Sequence, residues 1–264
     1  MERGAPLTVA ICHMSRYDFI AQRLHVNAPL AEGVRVELDP LQTNYVRNVL
    51  RLSEGAAILV FNGRDGEWQT AVTASHRKQV TLIVRELTRP QEPHRDLYYL
   101  FAPLKHARQD YLVEKAVEMG AGLLRPVLTR RTQTSRINSE RMRAHAIEAA
   151  EQCGILTIPD IAPTIGFDTL LDNWDKDRLL IFCDEDAPSC DPLVALRLRT
   201  DAKRPCPLAV LVGPEGGFDA KEREALLGLP CVLRLSLGPR ILRADTAAVA
   251  ALALVQATLG DWRG

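Results

Sequence analysis

Residues 208–226, LAVLVGPEGGFDAKEREAL, constrain the fold more than any other part of the chain. Five apolar residues in unbroken succession leave no face for solvent, so this strand must be covered on both sides, as strands of parallel sheets are. Asp219 and Glu222 have capping-box spacing and start a charged helix directly after the glycines. A buried strand that turns through glycine into a helix is the repeating unit of an α/β sheet.

The same alternation runs through residues 97–264. LYYLFAPL reads as a strand, RQDYLVEKAVEMGAG as a helix closed by Gly120, LLRPVLT as a strand, and NSERMRAHAIEAAEQCG as a helix capped by Asn138 or Ser139. RLLIFCDE and CVLRLSL are further apolar strands, and an Ala-rich helix from about 245 to 259 stops at Gly260. Fold class is therefore α/β around a mainly parallel sheet. Residues 16–88 differ. They carry the short runs GVRVEL, AAILVFNGRDGEWQTAV and QVTLIVREL, with Asn62-Gly63 and Asp65-Gly66 steps suited to left-handed hairpin backbone. One helix, PLQTNYVRNVLRL, puts Tyr45, Val46, Val49 and Leu50 on one face and spaces Arg47 and Arg51 i, i+4. The 264 residues thus divide into an extension (1–15, read as disordered, with Met14 as an alternative start), a small β domain (16–88), a linker (89–96, within TRPQEPHRD) and an α/β domain (97–264).

Charge and cysteines exclude several classes. Lys and Arg total 33 against 33 Asp and Glu, so nucleic acid could be held only by a local patch. Nine basic and four acidic residues between Lys105 and Arg143 supply one; between Glu148 and Asp191 the balance reverses, eleven acidic to two basic. A solvated helix face explains much of this, but TRRTQTSR, with Arg130 and Arg131, mixes guanidinium forks with hydroxyls in a way that suits phosphate backbones. The six cysteines show no C-x-x-C pair and no clustered histidines, which argues against a metal and for reduced thiols in a cytoplasmic protein. No apolar run reaches the roughly 20 residues of a membrane span.

The glycine turn is neither a Walker A loop, which needs Lys-Ser/Thr after the last glycine, nor a G-x-G-x-x-G fingerprint. Glu215 would also repel a polyphosphate at a cost on the order of 1–4 kcal/mol. A neutral or cationic ligand fits better. Further on, LRLSLGPRILRADTA places a second Gly-Pro turn after a strand, with Arg240 and Arg243 flanking Ile241-Leu242. Two Gly-Pro turns at the ends of neighbouring strands would frame the edge where open α/β sheets bind ligands, with Leu237, Ile241 and Leu242 against a flat heterocycle.

LVGPEGGF followed by LGPRILRADTA, with AAEQCG upstream and a β-rich domain in front, resembles the ribosomal RNA small subunit methyltransferase E family, uridine-N3 methyltransferases of the SPOUT class. The resemblance covers the chain from about Arg16. It implies a PUA-like β-barrel at residues 16–88, a trefoil-knotted SPOUT domain at 97–264, S-adenosylmethionine as methyl donor, a homodimer, and 16S rRNA or the small ribosomal subunit as substrate. Two positions depart from the family: Asp245-Thr246 stands where Glu-Thr is usual, and Ile155 follows EQCG where Arg is common.

The implied cofactor site comprises Val212, Gly213, Pro214, Glu215, Gly216, Gly217, Leu235, Leu237, Gly238, Ile241 and Leu242. Arg243 first and Arg240 second are the candidates for stabilising the uracil oxygens; pairing with Asp245 or holding a phosphate is the competing role for each. Arg47, Arg51, Lys105, Arg130, Arg131 and Gln152 are the expected RNA contacts, with Gln152 at the active-site rim and Cys153 in packing. Two other functions remain open: a methyltransferase of this class acting on tRNA or a ribose 2′-hydroxyl, and a non-catalytic RNA-binding protein.

Overall fold

Alternating apolar residues build the first sheet from β1 (Arg23–His25), β2 (Arg35–Glu37), β3 (Ala57–Phe61), β4 (Glu67–His76) and β5 (Gln79–Arg89). The computed structural model describes residues 21–76, 79–94, 96–134, 136–188, 191–199 and 207–263; the expected extension at 1–15 and Cys12, Cys190 and Cys206 lie outside them. Strand order is β1-β3-β4-β5-β2, antiparallel except for the β1–β3 pair, and the sheet curls around Leu24, Val36, Val46, Val60, Leu82 and Val84. In β5, Val80, Leu82 and Val84 are buried at every second position, as the pleat requires.

The helix between β2 and β3 departs from expectation. Asp39 caps α1 (Pro40–Asn44) in a capping box with Gln42, but Tyr45–Val49 forms a π turn in which the Leu50 N–H reaches back to the Tyr45 carbonyl. The wider turn rotates the residues after it, so Tyr45, Val46 and Leu50 pack inward while Val49 is left 61% exposed. Arg51 lies beyond the helix end at φ 56°, where the Leu52 N–H returns to the Val46 carbonyl. Arg47 and Arg51 therefore do not share a helix face.

The second sheet is parallel throughout. Its elements are β6 (Leu97–Phe101), α2 (His106–Glu118), β7 (Leu123–Leu128), α3 (Ser139–Cys153), β8 (Asp160–Ile161), β9 (Ile165–Gly166), α4 (Phe167–Asp172), β10 (Leu179–Cys183), α5 (Pro192–Arg197), β11 (Leu208–Val212), α6 (Ala220–Leu227), β12 (Val232–Leu235) and α7 (Ala244–Thr258). Strand order is β12-β10-β11-β6-β7-β8, with β9 on the far end of β7. Leu97, Tyr99 and Phe101 of β6 and Leu208, Val210 and Val212 of β11 pack with α2, α3 and α7. The intervening Leu100, Ala209 and Leu211 pack with Phe167 and Leu170 of α4 and Leu226 of α6. Covering on both faces is why these strands are continuously apolar.

Strand order corrects one expectation. β11 and β12, which end in the two Gly-Pro turns, are not neighbours, because β10 pairs with both and lies between them. A second correction comes from the crossovers. Each helix runs back against the strands, so the last turn of α3 lies at the edge where strands begin; Leu123, the first residue of β7, pairs with Asp160 just after α3. The first sheet docks at this edge. There the His25 N–H donates to Glu151 Oε1 (2.7 Å), and Arg89 Nη2 donates to the Gly154 carbonyl (2.8 Å). Arg89 and Arg23 also converge on the buried Glu67, each 2.8 Å from Oε2.

Candidate functional site

At the opposite edge, where the parallel strands end, a cavity of about 470 Å³ opens among the ends of β10, β11 and β12 and the start of α7. Its walls hold Val212–Gly217, Leu235, Leu237, Gly238, Arg240, Ile241 and Leu242, together with Cys183, Asp184, Glu185, Ser236 and Ala247. Every residue expected at the cofactor site is thus brought to one cavity. Arg243 is not on its wall but stands next to it, at the N-cap of α7.

The glycine turn is held from below and from the sides. The Gly217 N–H closes onto the Pro214 carbonyl (2.8 Å), with Gly217 at φ 67°, where a side chain is strained. A Cβ on Gly213 would fall 3.0 Å from Cε2 of Phe218, whose ring is wedged against Phe182 and Phe167 with centroids 6.1 Å from each. Beyond the turn, Asp219 and Glu222 form the capping box of α6, and the second Glu222 oxygen accepts from the Arg130 N–H (2.7 Å).

Arg130 and Arg131, expected to contact RNA, hold parts of this architecture, and so does Arg108, to which the sequence assigned no role. Arg130 is 62% exposed and its Nε lies 3.2 Å from Asp219 Oδ2. Arg131 Nη1 donates to the Gly216 carbonyl at 2.5 Å, fastening the turn from outside. Arg108, in the first turn of α2, pairs with both Glu215 Oε1 (3.2 Å) and Asp245 Oδ2 (3.3 Å). Asp245 is therefore not the partner of Arg243 or Arg240, and both of these exposed side chains lack an ion pair or side-chain hydrogen bond among the described residues.

Charge at the cavity is negative and unevenly compensated. Burial alone would raise the Asp184 carboxyl, but hydrogen bonds from Arg223 and Arg234 hold it below its ordinary value. Glu215 has Arg108. Glu185, on the rim with Oε1 3.2 Å from where a Gly217 Cβ would stand, makes no ion pair or hydrogen bond among the described residues and feels the Arg223 guanidinium, which is paired with Asp184, only through space. Spacing along the chain does not reveal its nearness to the cavity, because nothing local places β10 between the two Gly-Pro strands; the carboxylates after RLLIFC are the available signal. On the floor, burial followed by the charges of Glu185 and Asp184 pushes the Cys183 thiol up to about 12, so it stays protonated and is no nucleophile.

Other expected residues lie apart. Lys105, the N-cap of α2, is exposed near Arg108 at the cavity edge of the sheet but not on the wall. Gln152 is exposed in the last turn of α3, at the opposite edge, and so does not line the rim within one chain. Cys153 beside it is exposed rather than packed. Arg47 and Arg51 belong to the first sheet's helix and its end. Ile241 reaches the cavity mouth but is fully exposed, 103%, so the apolar wall comes from Val212, Leu235, Leu237, Leu242 and Ala247. Glu114, His145 and Glu148, on the outer side of α2 and α3, cluster closely enough for a metal; His145 Nδ1 lies 2.8 Å from Glu114 Oε1, and none of the three lines the cavity.

Comparison with known proteins places these features. A family model described as an RNA methyltransferase domain matches residues 90–256, and one described as an RNA methyltransferase PUA domain matches residues 38–85. Ribosomal RNA small subunit methyltransferase E of Rickettsia conorii is 30% identical over 89% of this chain and 94% of its own length. The protein of that name from Synechocystis is 28% identical over 96% of this chain and 83% of its own. Among solved structures, ribosomal RNA small subunit methyltransferase E from Neisseria gonorrhoeae, bound to S-adenosyl methionine, superposes with a TM-score of 0.78 at 25% identity, covering 92% of this chain and 99% of that one. A Legionella pneumophila structure described as a methyltransferase with SAM bound gives a TM-score of 0.75 at 27% identity, covering 90% and 97%.

Proposed function

This chain belongs to the ribosomal RNA small subunit methyltransferase E family, and on that premise we propose that it transfers a methyl group from S-adenosylmethionine to N3 of a uridine in 16S ribosomal RNA. The cavity framed by two Gly-Pro turns, with the Glu185 carboxylate on its rim held in no ion pair or hydrogen bond among the described residues, carries this reading. Its volume, about 470 Å³, suits a nucleoside-sized ligand. Leu235, Leu237 and Leu242 suit a flat heterocycle, and the backbone of Val212–Gly217 and Leu235–Gly238 on the cavity wall suits the polar edges of that ring. Glu185, on the rim beside the glycine turn, suits a cation.

When bound, S-adenosylmethionine supplies a methyl group activated by its sulfonium charge. The uracil must lose its N3 proton, and negative charge then gathers on the uracil oxygens. Arg243 first and Arg240 second place guanidinium groups to meet that charge, which a positioned cation stabilises more in the transition state than in the ground state. Both are suited to this because no carboxylate among the described residues neutralises them. No covalent adduct is required, in keeping with the protonated Cys183.

For RNA we assign phosphate contacts to Lys105 and Arg130 beside the cavity and to Arg47, Arg51 and Gln152 at the other edge; Arg131 acts on the glycine turn. Because the first sheet and the cavity occupy opposite edges of one chain, a homodimer is the arrangement that brings one protomer's sheet beside its partner's cavity. It would also cover Ile241. No helix among the described residues is long and apolar enough to cross a membrane, and a substrate of ribosomal RNA or the small subunit places the reaction in the cytoplasm. The deciding experiment is nucleoside mass spectrometry of 16S rRNA from a deletion strain: 3-methyluridine is expected to vanish and to return on complementation, and its persistence rules the reading out. Sedimentation as a monomer at micromolar concentration rules out the dimer. Titration with S-adenosylmethionine that yields no heat favours a non-catalytic RNA-binding protein.

A further inference from the structure

Three elements meet at the cavity mouth through one side chain that the reaction above does not use. Arg108 projects from α2 and bridges Glu215, at the tip of the glycine turn, to Asp245, in the first turn of α7. Asp245 is two residues from Arg243 and five from Arg240, and Glu215 shares a cavity wall with Arg240. Left alone, Asp245 would be drawn to these two arginines, which have no ion pair among the described residues, and Glu215 to Arg240 on the shared wall. One planar guanidinium, presenting Nε to Asp245 and Nη1 to Glu215, occupies both carboxylates at once.

We propose that Arg108 is a positioning residue: by holding Asp245 and Glu215, it keeps Arg240 and Arg243 uncompensated and therefore available to the RNA base. The inference rests on the preceding assignment of Arg243 and Arg240 to the uracil oxygens. It also explains an arginine at the mouth of a cavity that takes a cation. Arg108 serves as the internal counter-ion of the two carboxylates, leaving Glu185 as the rim carboxylate outside any close ion pair among the described residues.

The test is steady-state methylation of small ribosomal subunits isolated from a deletion strain, with S-adenosylmethionine as donor. Arg108→Ala is expected to lower kcat about tenfold or more while the KM for S-adenosylmethionine stays within about threefold. Arg108→Lys is expected to recover only part of the loss, because an ammonium does not present the planar fork that spans two carboxylates. In a Glu215→Gln/Asp245→Asn background, where no carboxylate is left to be released, adding Arg108→Ala is expected to change kcat less than about twofold. Loss of similar size in both backgrounds means that Arg108 touches the substrate itself, and it overturns the proposal; so does an Arg108→Ala enzyme of unchanged kcat. Wild-type protein that methylates nothing overturns the proposed function and this inference with it, whereas an active wild type confines any failure to the inference. Melting curves accompany each variant, and Arg108→Gln carries the same comparison if Arg108→Ala does not fold.

Discussion

The backbone N–H of His25 donates to Glu151 Oε1 at 2.7 Å, fastening the edge strand of the first sheet to the last turn of α3. An edge strand otherwise offers unpaired donors, and a carboxylate from a helix end covers this one. The same junction includes the hydrogen bond from Gln42 Nε2 to the His25 carbonyl. Glu151→Ala leaves the His25 N–H unpaired at a site where His25 itself is buried, so it is expected to cost about 1–3 kcal/mol in urea denaturation. Its effect on S-adenosylmethionine affinity should be slight, since the cavity lies at the other edge of the sheet.

His25 also gives the junction a pH dependence. Burial, followed by the charges of Arg143 and Arg64, lowers its pKa from 6.5 to about 4, and the ring packs edge-on to Phe61 at 5.5 Å. The folded protein therefore keeps the imidazole neutral where the unfolded chain protonates it. Stability is full above the unfolded value of 6.5 and is lost as pH falls toward 4. Allowing for partial solvent access, the loss between pH 7 and pH 4.5 is about 2 kcal/mol. His25→Phe should remove that increment, measured as the difference between wild-type and variant denaturation midpoints at the two pH values. Equal pH slopes for both proteins would contradict it.

Local chemistry made much of this protein legible. Asn138 and Gly154 bound α3, Asp219 and Glu222 cap α6, and continuous apolar runs became strands buried on both faces, because each depends on residues a few positions apart. What failed to show was non-local or off-period. Insertion of β10 between β11 and β12 is a matter of strand order, so Glu185 stayed hidden although its carboxylate ends a buried strand. Arg108 finds its partners 107 and 137 positions away, a pairing no spacing rule encodes. The π turn at Tyr45–Val49 breaks a 3.6-residue period that the apolar pattern fits well enough to mislead.

Gly213→Ala tests the close approach beneath the glycine turn. The added methyl group meets the Phe218 ring at 3.0–3.1 Å, and Phe182 and Phe167 leave that ring little room to retreat. Overpacking of this kind costs about 1–3 kcal/mol. Because the turn is also a wall of the cavity, S-adenosylmethionine affinity is expected to fall about tenfold by calorimetry. Phe218→Leu in the same chain should recover part of the loss by opening space under the turn.

Glu185 and Glu215 separate by a neutralising substitution at each. Glu215 is already compensated by Arg108 at 3.2 Å, whereas Glu185 makes no ion pair or hydrogen bond among the described residues. Glu185→Gln should therefore weaken S-adenosylmethionine binding about tenfold, and Glu215→Gln no more than about threefold. S-adenosylhomocysteine, which keeps the ammonium but lacks the sulfonium charge, tells which cation is met. An equal loss for both ligands assigns the carboxylate to the ammonium; a loss confined to S-adenosylmethionine assigns it to the sulfonium. No loss for either removes Glu185 from the site.

Arg243 and Arg240 differ in position, and the difference orders their expected effects. Arg243 is the N-cap of α7, a 15-residue helix whose first turns, at Ala244 and Ala247, reach the cavity wall, so its backbone is fixed by a helix packed in the core. Arg240 sits on the loop before it, between Pro239 and the fully exposed Ile241. A cation that stabilises developing charge must be held in place to be effective, since reorganisation would consume the gain. Removing such a group costs about 10²–10³ in kcat, and that is the expectation for Arg243→Ala under single-turnover conditions with saturating RNA. Arg240→Ala, on the looser loop, should lose about tenfold. Both should keep their KM for S-adenosylmethionine, because neither guanidinium is needed to hold a cationic donor. If Arg243→Ala instead raises the apparent KM for RNA with kcat intact, its guanidinium holds a phosphate, and the charge on the uracil must be met by another group.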